Sequence, residues 1–203
     1  MNEHGLTIGL HLVRMNPRAP GLSCVLIVRA VLDQCATTAD AVAMLRRMPH
    51  AMRYNYSLLD ARGVAAVVEA HPGTVAVRTG DWLACTNHFQ SPLLRPLNRR
   101  AAHSQQRLPP LEAWAARRLG AEAIFSALNR STSPAFHHGY TRGAGTLHTI
   151  VVEPNKPRFD RNRGRCGGSG RRHAGREFHA MGKWRGLADR TSRWSAGWTL
   201  PAL

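Results

Sequence analysis

Four cysteines, Cys24, Cys35, Cys85 and Cys166, could each supply a nucleophilic thiolate or a soft metal ligand. Their spacing shows no paired metal-ligand pattern. No export signal precedes them, so four reduced thiols in a cytoplasmic chain is the expectation. His137 and His138 lack a third ligand at workable spacing, so no metal site is expected. No phosphate-cradling glycine motif leads into a helix, and no cofactor is expected either. Cys85 stands two residues before Asn87, but a strand thiol is far more often a small hydrophobe than a nucleophile. His88 and His103 are candidates for lining one pocket.

These residues must be held by elements, and the periodicity supplies them. Asn2-Glu3-His4-Gly5 reads as a tight turn. Leu6 to Val13 then alternates as a strand with one face on a core. A turn entering a strand at residue 5 implies a partner strand upstream. Ser23 is placed to cap a helix running to about Cys35, with Leu26, Ala30 and Leu32 as inward candidates. Thr37 or Thr38 is placed to cap a second helix from Ala39 to Met48, ended by Pro49. Two successive amphipathic helices suit a layer lying across a sheet. From Tyr54 the period changes to two. Strands at 54–59, 64–69, 74–78 and 82–86, separated by short polar turns, predict an antiparallel meander. Residues 108–130 predict helix split at Gly120, and Thr146 to Val152 a last strand.

The 203 residues are 43% hydrophobic, enough for a real core. The longest apolar run, Val25 to Val28, is far short of the ~18–20 residues of a membrane span. The net charge of +16 is uneven: residues 1–154 hold 16 arginines and 9 acids, whereas residues 155–203 hold 10 arginines, 2 lysines and 3 acids. Phosphate-backbone binders generally use both bases, so 26 arginines against 2 lysines argue against a nucleic-acid partner. After Pro154 no helical or strand period is visible, yet Phe159, Phe178, Trp184, Trp194 and Trp198 occur there. The division is therefore 1–154 as a domain and 155–203 as an irregular basic tail, disordered or read out of frame.

Several segments in order carry a resemblance. They are Met1 to Leu6, Arg29-Ala30-Val31-Leu32-Asp33-Gln34-Cys35 with Thr38-Ala39-Asp40-Ala41-Val42, Tyr54-Asn55-Tyr56 to Asp60, Thr86-Asn87-His88-Phe89, Ser104-Gln105-Gln106-Arg107, and Gly145-Thr146-Leu147-His148-Thr149. Together they resemble the acyl-CoA:6-aminopenicillanate (isopenicillin N) acyltransferase family. Its members are N-terminal-nucleophile hydrolases related to choloylglycine hydrolases. The resemblance implies an α+β fold, here an incomplete αββα sandwich with antiparallel sheets. It also implies acyl transfer or amide hydrolysis on a small acyl-amide or acyl-CoA substrate. In that chemistry an N-terminal cysteine attacks the acyl carbonyl, and its α-amine serves as base.

Residue by residue, the resemblance gives Asn87 the role of oxyanion donor and Arg107 that of an arginine near the nucleophile. Ser104 buttresses that segment. His11 occupies a position where related hydrolases carry Asn, and with His88 and Ser104 it makes up the expected substrate-binding set. The family's cysteine lies upstream of the segment matching Met1 to Gly5. The chain as written is thus expected to be a fragment lacking its nucleophile, and inactive. The competing expectation is a non-catalytic binding protein whose basic tail contacts nucleic acid or an anionic surface.

Overall fold

The computed structural model describes residues 1–14, 19–99, 101–142, 145–163 and 196–201. Four antiparallel strands form the first sheet in the order β1-β2-β3-β4. They are β1 (Thr7–Arg14), β2 (Arg53–Leu59), β3 (Ala65–His71) and β4 (Thr74–Thr79). Helices α1 (Cys24–Gln34) and α2 (Thr38–Arg47) lie on one face of it. Helices α3 (Ala102–Ala116) and α4 (Ala121–Asn129) follow. A second antiparallel sheet has the order β6-β5-β7, built from β5 (Thr146–Glu153), β6 (Lys156–Arg163) and β7 (Ala196–Pro201). The fold is mixed α and β, with antiparallel sheets and four helices.

Alternation in the first sheet separates two faces of opposite character. One carries Ile8, Leu10 and Leu12 from β1, Tyr54, Tyr56 and Leu58 from β2, and Ala66, Val68 and Ala70 from β3. These pack against Cys24, Ile27 and Val31 of α1 and Ala41 and Leu45 of α2. The other face is polar although its middle is buried. His11, Asn55 and Glu69 stand in one cross-strand row, and Ser57, Val67 and Arg78 in the next. Asn55 and Glu69 are almost completely shielded from solvent. A buried polar face must find its own hydrogen-bond partners. Here the loop after β4 supplies them.

The first turn forms as expected. Gly5 adopts φ +79°, and a Cβ there would meet the Pro154 carbonyl at 2.8 Å and the Ala61 Cβ at 2.9 Å. Both conformation and space therefore demand glycine. The Asn2 side chain accepts from the amides of His4 and Leu6, and its Nδ2 donates to the carbonyls of Leu32 (3.0 Å) and Cys35 (2.7 Å). One side chain thus ties the turn to the end of α1. The second helix opens on a capping box. Thr37 Oγ1 accepts from the Asp40 amide, and the Asp40 carboxylate accepts from the Thr37 amide. Asp60 fixes the next corner: its carboxylate accepts from the amides of Thr38, Arg62 and Val64.

Four expectations change. The inward face of α1 is Cys24, Ile27 and Val31, whereas Leu26 is 60% exposed. The helix is apolar nearly all round, so hydrophobicity alone could not mark its buried stripe. Residues 82–86 are not a strand, because side chains take their carbonyls. Ala84 accepts from Gln90 Nε2 and Thr86 from Asn55 Nδ2, where a strand would offer these oxygens to a ladder. The third helix starts at Ala102 and runs through Pro109 and Pro110. Those prolines remove donors to the carbonyls of Gln105 and Gln106, whose residues are exposed, so water can serve instead. Finally, β6 and β7 lie in the stretch expected to be irregular. They pair with β5 through the backbone, which requires no apolar period. Residues 164–195 and 202–203 lie outside the described residues, and Cys166 with them.

Candidate active site

The loop leaving β4 crosses the polar face and carries Asn87. Three buried side chains hold that loop down. Asn55 Nδ2 donates to the carbonyls of Thr86 (3.0 Å) and His88 (2.8 Å). The Glu69 carboxylate accepts from the amides of Gln90 (2.8 Å) and Ser91 (3.0 Å). The imidazole Nδ1 of His88 is 3.0 Å from Thr86 Oγ1 and 2.9 Å from Ser104 Oγ, which links the loop to the first turn of α3.

One turn further along α3, Arg107 reaches back to the same loop. Its Nη2 donates to Asn87 Oδ1 at 2.8 Å. Asn87 Nδ2 in turn donates to the Leu12 carbonyl on β1 at 3.0 Å. The amide is therefore clamped at both ends, and the guanidinium fixes which end is oxygen. A hydrogen bond from a charged donor is worth about 1.5–3 kcal/mol. It also draws electron density from the amide, which strengthens the N–H groups as donors. Only one of the two Nδ2 hydrogens is used by Leu12.

Asn87, Ser104 and Arg107 border one cavity of about 210 Å³, together with His103 and the arginines Arg14, Arg53 and Arg99. His11 and His88 are not on its wall. His11 sits beneath, with Nε2 3.2 Å from Ser57 Oγ. Burial, and then the field of Arg107, lowers His11 to about 4. The ring is neutral at pH 7, so it adds no positive charge beside the guanidinium. His88 stays behind Ser104, where burial lowers it as well. Of the two candidates for one pocket, His103 lines this cavity and His88 does not. His103 stacks edge-on against His137, with ring centroids 4.8 Å apart.

The described thiols are poor nucleophiles. Burial pushes Cys85 up to about 12, which keeps it protonated beside the site. Cys35 is also raised by burial, and its Sγ donates to Met44 Sδ at 3.6 Å. Cys24 is buried in the core between α1 and the sheet. Among the described residues no group of three or more His, Cys, Asp or Glu side chains is placed to hold a metal ion. Likewise, no helix there is long and apolar enough to cross a membrane.

The Thr86-Asn87-His88-Phe89 and Ser104-Gln105-Gln106-Arg107 segments meet at this amide, and comparison with known proteins points to one family. The model of the family described as acyl-coenzyme A:6-aminopenicillanic acid acyl-transferase matches residues 1–165. The chain belongs to this acyltransferase family. Among solved structures it is similar to the penicillin V acylase from Agrobacterium tumefaciens, at 24% identity and a TM-score of 0.36. That match covers 66% of this chain and 40% of the acylase, so the chain spans less than half of that protein's length. No curated protein matches. The structure brings Asn87 and Arg107 together at one cavity wall. Their direct hydrogen bond, however, was not visible in the sequence. Nor were Asn55 and Glu69 singled out there. For Asn55 the signal was Arg53, Asn55 and Ser57 alternating with apolar positions of one strand; for Glu69 it was a lone carboxylate inside an otherwise apolar strand.

The shielded histidines are expected to make the fold acid-sensitive. His11, His50 and His88 all lie below their ordinary value because they are buried. Between the folded and unfolded values the unfolded chain holds the proton and the folded chain does not. Stability therefore falls as pH drops through that window, from ~6.5 down to about 4 for His11. Melting temperatures recorded between pH 7 and pH 4.5 are expected to fall steadily, and His11→Asn to flatten the slope. A melt independent of pH over that range would contradict the buried neutral ring.

Proposed function

We propose that this chain carries the transition-state-stabilising half of a cysteine acyltransferase or amide hydrolase with the αββα sandwich of the N-terminal-nucleophile class. The observation that supports it is the 2.8 Å bond from Arg107 to the Asn87 amide at a cavity wall. In this reading a thiolate attacks the acyl carbonyl of an amide. The π pair moves onto oxygen, and the second Nδ2 hydrogen of Asn87 donates to that oxyanion. The α-amine of the attacking cysteine, which took the thiol proton, returns it to the departing nitrogen as the C–N bond breaks, and the thioester left behind passes its acyl group to water or to another amine. Arg107 acts through Asn87 as a positioning residue.

The attacking sulfur is not Cys24, Cys35 or Cys85. The first is core, the second faces Met44 and the third is held as a thiol. In the reading proposed here the nucleophile precedes the segment beginning at Met1, and the chain as written is inert. Acyl p-nitroanilides incubated with the purified chain test this directly. No turnover is expected, with or without iodoacetamide. Turnover abolished by alkylation would assign the attack to an internal cysteine and overturn the proposal. Reading the gene upstream of Met1 is the complementary test, with a cysteine codon followed by one for Thr or Ser as the expected finding.

A further inference from the structure

We infer that Arg14, Arg53 and Arg99 form an oxyanion-binding subsite, for a carboxylate or phosphate group on the molecule whose acyl bond lies at Asn87. This deepens the proposed function and rests on it for the identity of the neighbouring chemistry. The register of β1 carries the first observation. Cross-strand pairing is regular from Thr7 to Leu12, then slips by one residue so that Arg14 lies opposite Arg53. Without the bulge at Val13, Arg14 would point to the apolar face of the sheet. With it, two guanidinium-bearing residues oppose one another directly, an arrangement that costs stability when nothing negative lies between them.

Two further arginines close the same cavity, Arg99 from the segment before α3 and Arg107 from α3 itself. Among the described residues no acidic side chain lines this cavity, and none of the four guanidiniums is ion-paired. Their hydrogen bonds go to neutral acceptors. Arg53 Nη1 donates to the Leu97 carbonyl at 3.2 Å, and Arg99 Nη1 to the carbonyls of Pro96 and Asn98, each at 3.1 Å. Arg53 Nε is buried and has no partner at all among the described residues. A buried charged donor left unmet is expensive and points to an acceptor supplied from outside. The mutual repulsion also registers on Arg53, which burial and the fields of Arg14 and Arg99 hold below its ordinary range. A cavity of about 210 Å³ has room for an oxyanion and its first water molecules, since a water takes roughly 30 Å³. Guanidinium forks match carboxylate and phosphate oxygens in geometry as well as charge.

The test uses the 203-residue chain and needs no turnover. Isothermal titration at low ionic strength would compare inorganic phosphate, N-hexanoylglycine and the methyl ester of N-hexanoylglycine. The carboxylate or the phosphate is expected to bind, and the neutral ester at least about tenfold more weakly. Arg14→Gln and Arg99→Gln should each weaken the bound anion about tenfold. Arg117→Gln, on the exposed end of α3, should not, which separates the subsite from general attraction to a chain of +16. Carboxylate binding without phosphate binding would assign the group to an acid on the substrate, and the reverse would assign it to a phosphoryl group. A second readout protects against misfolding. In anion-free buffer Arg14→Gln should melt above the parent chain, because the cross-strand repulsion is gone. At one anion concentration phosphate or hexanoylglycine should raise the melt of the parent more than that of the variant. Equal affinity for acid and ester, or anion binding unchanged in both variants, would overturn the subsite. Anion binding that stands while the extended chain hydrolyses no amide would leave the subsite intact and remove the acyl-transfer reading.

Discussion

Glu69→Ala is expected to lower the free energy of unfolding by about 3–5 kcal/mol. The carboxylate has no solvent exposure, and its ligands are all fixed. Oε1 accepts from the Gln90 amide at 2.8 Å, Oε2 from the Ser91 amide at 3.0 Å, and the Arg78 guanidinium stands 3.7 Å away. Truncation would leave two loop amides without their acceptor and a largely buried guanidinium without its counter-charge. Each such group carries its own desolvation cost of ~1–3 kcal/mol, more for the charge. Glu69→Gln should fall between, because its amide carbonyl can still accept from the loop but no longer neutralises Arg78. Urea titration measures the difference, and amide exchange at Gln90 and Ser91 localises it. A loss under ~1 kcal/mol in the alanine variant would mean that the loop is held elsewhere.

That variant matters for function because of where the loop begins. Asn87 lies three residues before Gln90, so the anchoring carboxylate and the candidate oxyanion donor belong to one rigid segment. Asn55 holds the same segment from the other side through the carbonyls of Thr86 and His88. The polar face of the first sheet thus serves as a mould for the loop that carries Asn87.

What could be seen beforehand in the chain followed from local rules. The Asn2–Gly5 turn, the Thr37 cap and the first three strands from Tyr54 rest on turns and caps a few residues long, and these appear, whereas the fourth expected strand, 82–86, does not. Nonlocal features escaped. Nothing within residues 82–86 announces that Gln90 and Asn55 would take their carbonyls. Nothing in Leu12-Val13-Arg14 shows a bulge, because its evidence is the register with β2. The candidate site was legible as an ordered set of motifs but not as a geometry. Asn87 and Arg107 are 20 residues apart, and only the packing of α3 on the loop makes them partners. The arginine-lined wall was hidden for a different reason. In a chain with 26 arginines, the four that share a cavity look like the rest.

In a chain extended upstream to present an N-terminal cysteine, Asn87→Ala should lower kcat by about 10²–10³ and leave KM nearly unchanged. The magnitude is that of one oxyanion donor, roughly 3 kcal/mol of barrier. It is a kcat effect because the oxygen becomes a strong acceptor only as it gains charge in the tetrahedral state. Asn87→Asp separates this role from simple structural support. A carboxylate there would still accept from Arg107, and more strongly than the amide does. It would lose the donation to the Leu12 carbonyl and present negative charge to a developing oxyanion. The aspartate variant should therefore be at least as inactive as the alanine variant while melting closer to the parent. A purely turn-forming Asn87 predicts the opposite order. Activity would then follow stability, and the aspartate, a good turn residue with its arginine contact intact, would retain most of it.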